Sequence, residues 1–406
     1  MFFITHLFFL LIILIIQKTP SGGSMKRKAI GTRLAARLVL EDGSEFIGWS
    51  FGKARSQAGE VVFTTGMTGY PQSLTDPSYR GQILVATYPL IGNYGIPLDG
   101  QGNMLLDEWG IPIHFESHRI QVAGFVVADL CEEPSHFASK MTLSQWMEKQ
   151  NVAGLYGIDT RALTERLREH GVMRGKILVE GSRDVTFESG DLAYPVAEVS
   201  PREVQLYKPR DRGDGRRVRI ALLDCGAKAN ILRVLLDRGV EVIRLPWNHD
   251  LSGIDYDGIF LSNGPGDPKA CGKTIATIRN AMEDTKPMFG ICLGNQLMAL
   301  AAGADTYKLP YGHRGQNQPC IEKGTERCYI TSQNHGYAVR EDTLPRNWKS
   351  WFENANDGTV EGIRSEKGHF RAVQFHPEGC PGPRDTEFLI DQFIQDVRQN
   401  MAGGKI

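Results

Sequence analysis

One cysteine set between glycines, and a histidine and glutamate two residues apart further on, carry the reactive groups of this sequence. The cysteine lies in Pro287-Met288-Phe289-Gly290-Ile291-Cys292-Leu293-Gly294-Asn295-Gln296. The stretch opens as a short apolar strand, breaks at Gly290, and continues into Asn295–Ala302, whose composition is helical. Gly-x-Cys-x-Gly is the pattern of a nucleophile elbow with sulphur in place of the serine oxygen. The small residues permit a sharp turn, and the helix that follows directs its N-terminal amides at the sulphur, favouring the reactive thiolate. A lone cysteine at a strand end is more often a buried core residue. The glycines, the helix and the downstream histidine reverse that preference.

The second piece is Gln374-Phe375-His376-Pro377-Glu378. In an extended segment residues two apart point the same way, so Glu378 is expected to hold one ring nitrogen of His376 while the other faces Cys292. Thiol, imidazole base and orienting carboxylate make a nucleophilic triad. A third piece, Ser262-Asn263-Gly264-Pro265-Gly266-Asp267-Pro268, follows the apolar strand Gly258–Leu261. Ligands of open α/β sheets bind beyond the carboxyl ends of strands, where both this loop and the Cys292 elbow fall. Amides of Gly264 and Leu293 are candidates for an oxyanion hole. Gly266…Gly272-Lys273-Thr274 imitates a phosphate-binding loop, but five residues separate its glycines where four are required, and Asp267 is a poor phosphate neighbour.

The elements that must position these groups fall into two halves. Before residue 207 the pattern is mixed α and β. Leu38–Phe46 reads as a hairpin turning at Asp42-Gly43, Glu60–Thr65 and Val122–Leu130 as strands, Gly66–Tyr79 as loop, and Ala162–His170 as a helix capped near Asp159-Thr160. After residue 217, strands alternate with helices of about ten residues, which predicts a mostly parallel sheet flanked by helices. Short strands are expected at Arg327–Thr331 and Tyr337–Arg340, and a last helix near Asp385–Val397. The expected organisation is an apolar tail outside the fold (1–24), a mixed β/α domain (25–206), a charged Gly/Pro-rich linker (207–217), and an α/β domain (218–400).

Composition narrows the classes. The net charge of −1 in 406 residues gives no field to attract nucleic acid or an anionic membrane. Seven cysteines without C-x-x-C spacing argue against a disulfide framework or a zinc site and for a reducing, cytoplasmic compartment. Met1–Ile16 is almost wholly apolar, but it is short for a membrane span and no Lys or Arg precedes it. With Met25 opening Met-Lys-Arg-Lys, the run reads as an overextended start or a tail rather than an anchor.

Gly290-Ile-Cys292-Leu-Gly294-Asn-Gln296 with Phe375-His376-Pro-Glu378 resembles the class I (triad) glutamine amidotransferases. Met67-Thr-Gly-Tyr70, Leu74-Thr-Asp-Pro-Ser78-Tyr79, Gly92-Asn-Tyr-Gly95 and Gly157-Ile-Asp-Thr-Arg-Ala-Leu163 narrow the resemblance to the small subunit of carbamoyl-phosphate synthase. Leu261–Pro268 and Thr331–Tyr337 look like the same family, so the likeness covers Leu38 to Val397. It implies Cys292 as nucleophile on glutamine, His376 as base, Glu378 as orienter, and the amides of Gly264 and Leu293 at the oxyanion. It implies that Ser78, Gly266, Gln296, Asn334, Gly336 and Tyr337 hold the glutamine. It also implies no cofactor or metal in this chain, and a large-subunit partner, in a heterodimer or higher assembly, that uses ATP and magnesium. Three departures stand out: the apolar run, Tyr337 where many relatives have Phe, and no fused synthetase portion, which implies a separate partner unless the chain is a piece of a longer polypeptide. The competing expectations are an amidotransferase serving another synthetase or a free hydrolase of glutamine-like amides, a non-catalytic binding or regulatory subunit of the same fold, and a membrane-anchored version resting only on Met1–Ile16.

Overall fold

Apolar alternation in the first half closes on itself. The computed structural model describes residues 33–210 and 217–403. The apolar run Met1–Ile16 and most of the charged stretch 207–217 lie outside the described residues. Seven strands form a closed barrel: β1 (Ala35–Leu40), β2 (Glu45–Gly52), β3 (Gln57–Thr64), β4 (Ile83–Ala86), β5 (Gly124–Val127), β6 (Ala153–Tyr156) and β7 (Met173–Val179). Their order around the barrel is β1-β7-β3-β4-β5-β6-β2. Closure leaves no sheet edge in this barrel. The interior includes the fully buried Leu38, Val61, Ile83, Val126 and Ile177.

Two helices serve the barrel. One, Leu143–Lys149, starts at Thr142 in a reciprocal capping box with Gln145, and the other, Thr160–His170, starts at Asp159, which accepts from the amides of Arg161 and Ala162. The expected loop Gly66–Tyr79 contains a short helix, Tyr70–Thr75, and a 3-10 turn, Pro77–Tyr79. Pro71 and Pro77 sit at the first helical positions, where a missing N–H costs nothing. This is why a Pro-rich stretch, read as loop, is helical.

The second half builds a ten-stranded sheet. Its strands are β8 (Gln205–Tyr207), β9 (Arg219–Asp224), β10 (Glu241–Pro246), β11 (Gly258–Leu261), β12 (Met288–Ile291), β13 (Asp305–Glu322), β14 (Cys328–Arg340), β15 (Trp348–Asn354), β16 (Val360–Ser365) and β17 (Phe370–Val373). The order is β8-β10-β9-β11-β12-β17-β16-β14-β13-β15, with β16 also touching β15. Strands β10, β9, β11, β12 and β17 run parallel, and the remainder add antiparallel partners. The parallel strands are buried on both faces, as the unbroken apolar runs require. Leu222, Phe260 and Phe289 point to one side with Phe393 of the last helix, Phe388–Met401; Ala221, Leu223, Ile259 and Met288 point to the other.

The two short strands expected at Arg327–Thr331 and Tyr337–Arg340 are one continuous strand, β14. It pairs with the long β13, with register irregularities between Lys308 and His313 and between Gly315 and Gln318. Polar residues, prolines and glycines along this ribbon hide its period. It also reaches the barrel, through Lys308–Glu60 at 2.6 Å and the Thr65 amide donating to the Arg314 carbonyl at 3.1 Å.

Phe289 stands 5.6 Å from Phe260 and 5.8 Å from Phe393, ring centre to ring centre, and is 1% exposed. Phe289→Ala is expected to cost about 3–5 kcal/mol, because the helix and neighbouring strands cannot collapse into the space. Urea denaturation would show this as a lower midpoint with unchanged slope. A midpoint near that of the parent would mean that the last helix does not depend on this aromatic cluster.

Candidate active site

Four parallel strands deliver the reactive groups at their carboxyl ends: β9 to Lys228, β11 to the loop 262–268, β12 to Cys292 and β17 to His376. Cys292 follows β12 at φ +55°, ψ −104° and caps the helix Leu293–Ala302. A non-glycine residue in that region costs about 1–3 kcal/mol and persists only where its surroundings enforce it. The enforcement is visible here. The Cys292 amide donates to the Val373 carbonyl at 2.8 Å. A Cβ on Gly290 would lie 2.8 Å from Gly294, and a Cβ on Gly294 would lie 2.4 Å from the Leu261 carbonyl. The glycines of the motif are therefore needed for strand and helix to approach, and the turn follows from that approach.

Cys292 is 2% exposed, and its sulphur lies 3.6 Å from the Asn334 carbonyl. His376 Nδ1 lies 2.7 Å from Glu378 Oε1, while Nε2 is buried without a hydrogen-bond partner and has the Cys292 thiol as its neighbour. The geometry of the pair differs from the expectation in one respect. Residues 377–378 are in a turn, closed by Gly379 N–H to the His376 carbonyl at 3.1 Å, so it is a turn and not strand alternation that folds Glu378 back onto the ring.

A fourth member was not foreseen. Lys228, 2% exposed, lies 3.1 Å from Glu378 Oε1 and donates to the Gly379 carbonyl at 2.6 Å. Asn230 donates to the Glu378 carbonyl at 2.6 Å. The available signal was a lysine in Gly226-Ala227-Lys228 just past a parallel strand, where a long side chain can reach across the carboxyl ends. Burial pushes Glu378 up, but the Lys228 ammonium and the His376 imidazole pull it down to about 2. Burial pushes His376 down, but the Glu378 carboxylate and the Cys292 contact hold it up at about 10. The imidazolium thus stabilised is the state reached once Nε2 has accepted the thiol proton.

A cavity of about 100 Å³ opens onto the sulphur. Its lining brings together Cys292, Ser78, Gly264, Gly266, Gln296, Asn334, Gly336 and Tyr337. Leu293 is absent from the lining but buried, with its side chain 2.9 Å from where a Gly264 Cβ would stand. Several donors are already engaged. Gln296 Nε2 donates to the Tyr337 carbonyl at 2.8 Å, and Asn334 Nδ2 donates to Asp76 Oδ2 at 3.0 Å. Asp76 Oδ1 accepts from the Ser78 amide at 2.9 Å, and Ser78 Oγ accepts from Asn263 at 2.8 Å. The barrel segment thus forms one wall of the cavity. Charged residues missed by sequence reasoning, Glu60, Lys308 and Arg314, also line it.

Glu378→Gln removes the charge that holds the His376 proton. Its pKa is expected to fall from about 10 toward or below 6.5, because burial is then opposed only by the thiol. In the parent, the raised pKa contributes stability that is complete below pH 6.5 and lost as pH rises toward 10. Histidine NMR titration checks this; a pKa that does not move would show that another group holds the proton.

Residues 221–396 match the family described as glutamine amidotransferase class-I, and residues 38–177 match the carbamoyl-phosphate synthase small chain, CPSase domain. The chain is 50% identical over 388 residues to the multifunctional protein pyr-3 of Neurospora crassa, covering 89% of this chain and 21% of that protein. It is 44% identical to the human mitochondrial carbamoyl-phosphate synthase [ammonia], covering 90% of this chain and 24% of that protein. It therefore spans about a fifth of the length of the long relatives it matches. With the carbamoyl phosphate synthase small chain of Pyrococcus furiosus it shares 45% identity, covering 90% of this chain and 98% of that one. On these matches, the chain belongs to the carbamoyl-phosphate synthase small-chain family.

Proposed function

We propose that the chain is the glutaminase component of a glutamine-hydrolysing carbamoyl-phosphate synthase. The observation that carries this reading is His376, buried between the Glu378 carboxylate and the Cys292 thiol, which itself lines a cavity. Cys292 Sγ attacks the side-chain amide carbon of glutamine, and His376 Nε2 takes the thiol proton. The amides of Gly264 and Leu293 receive the negative charge that develops on the carbonyl oxygen. His376 returns the proton to the departing nitrogen, so ammonia leaves and a γ-glutamyl thioester remains. Water, deprotonated by His376, attacks the thioester and releases glutamate, restoring the thiol.

Ser78, Gly266, Gln296, Asn334, Gly336 and Tyr337 would hold the glutamine. Since both amide hydrogens of Gln296 and one of Asn334 are engaged within the protein, their side-chain oxygens, the second Asn334 hydrogen and the backbone at Gly336 are the groups left for the substrate. Burial raises the Tyr337 hydroxyl to about 12, so it stays neutral at the pocket wall. The ammonia would pass to a large subunit that makes carbamoyl phosphate from bicarbonate with ATP and magnesium, for pyrimidine and arginine synthesis. A separate large chain, in a heterodimer or higher assembly, is the proposed partner. A cytoplasmic setting accords with seven free cysteines, and no helix among the described residues is long and apolar enough to cross a membrane. A purely non-catalytic role leaves the strained Cys292 and its buried histidine unexplained.

Cys292→Ala is expected to lower glutamine-dependent glutamate release at least about a thousandfold, while synthesis from added ammonia with a large subunit persists. Covalent labelling of Cys292 by a glutamine-mimicking electrophile should be lost with it. Glutamate release at the parent rate by the variant would remove Cys292 from the chemistry.

A further inference from the structure

A second cluster of titratable groups adjoins the pocket and reaches its lining at His335. His313 on β13, His335 on β14 and Glu361 on β16 each offer a ligand atom, and these atoms all lie within 4.8 Å of one another. Glu361 is fully buried, and its Oε2 has no hydrogen-bond partner. An orphaned carboxylate oxygen in the interior is costly and calls for a positive charge.

The two imidazoles show where that charge belongs. His335 Nδ1 lies 2.9 Å from the Tyr337 carbonyl, which can only accept, so Nδ1 carries the hydrogen. In the neutral ring Nε2 is then a lone pair. It faces Gln333 Oε1 at 3.2 Å and Glu361 Oε1 at 3.6 Å, two acceptors. His313 repeats the geometry: Nε2 lies 2.9 Å from the half-exposed Asp357 carboxylate, while Nδ1 turns inward to Glu361 Oε1 at 3.3 Å, with the Asn354 side-chain amide 3.5 Å away. Each ring thus has its outer nitrogen on a carbonyl or carboxylate and its inner nitrogen toward one buried carboxylate. That is the outer-shell arrangement of metal-binding histidines. The inward separations of 3.3 and 3.6 Å are long for hydrogen bonds. They match the roughly 3.4 Å between donors that each bind a tetrahedral zinc at 2.0–2.2 Å.

We propose that His313 Nδ1, His335 Nε2 and the Glu361 carboxylate form a three-ligand site for a divalent transition metal of the zinc class. Asp357 orients His313 and, being at the surface, marks the way in. The ligands come from three strands, so the ion would clamp β13, β14 and β16 together. His335 lies between Asn334 and Gly336, so the clamp would also fix one wall of the pocket. Cysteine spacing pointed away from zinc because no cysteine is among these ligands.

The full chain, stripped with a chelator and dialysed against zinc, is expected to take up one zinc per molecule by mass spectrometry, with a rise in melting temperature. In His313→Ala the affinity should fall at least about a hundredfold and the thermal shift should vanish. Cobalt in the parent protein should give the visible bands of a four- or five-coordinate nitrogen and oxygen site without thiolate charge transfer. Should His313→Ala fail to fold, Asp357→Asn at the surface should still weaken zinc about tenfold. No stoichiometric uptake, uptake indifferent to these substitutions, or thiolate bands from cobalt would each overturn the proposal.

Discussion

The candidate active site depends on one buried carboxylate held between an ammonium and an imidazole. Glu378 has the Lys228 ammonium on one side and the His376 imidazole on the other, and all three are almost fully buried. Removing Glu378 would leave the Lys228 ammonium without its counter-charge in a medium where isolated charges are very costly. Lys228 comes from the end of β9 and His376 from the end of β17, so the ion chain forms only when the parallel sheet has its full order. The arrangement also reaches the first half of the chain. Glu116 accepts from the Asn230 amide at 3.0 Å and lies 3.5 Å from Arg233. Its carboxylate thus sits at the N-terminus of the helix Ala229–Asp237, where negative charge is favoured.

The barrel supplies a working wall. Asp76 ties the Ser78 amide to the Asn334 side chain, and the Asn334 carbonyl receives the Cys292 thiol. The cavity therefore has one side from the barrel segment 76–78 and the opposite side from β14 and the elbow. Either half alone would present an open cleft. This accounts for motifs in the first half that carry no nucleophile of their own yet belong to the same site.

Much of this was readable from the residues, for identifiable reasons. Strand and helix alternated at regular length after residue 217, so the parallel sheet followed from the pattern. The glycines around Cys292 are dictated by a strand–helix approach with no room for a side chain, a constraint that leaves a clear trace. Four features were not legible. The β13–β14 ribbon carries Pro310, Gly312, Gly315 and Pro319, which break any period of two. The helix at Tyr70 is introduced by prolines that read as loop. Lys228 pairs with a residue 150 positions away, and no local pattern announces that a lysine will be buried. The inward turn of His313 and His335 is hidden for the same reason: their partners arrive from other strands.

The long reach of the ion chain has a consequence in time. During synthesis the barrel emerges first, at about 5–20 residues per second. The Cys292 thiol emerges well before His376 and Glu378, the base and orienter of the proposed mechanism. The helix Phe388–Met401, which seals the aromatic cluster under β11 and β12, comes later still. A ribosome-bound chain therefore carries the Cys292 sulphur without its histidine until the segment holding His376 has been made. On the proposed reading, the order of strands along the gene works as a safety catch, holding the sulphur idle until its base has joined the sheet.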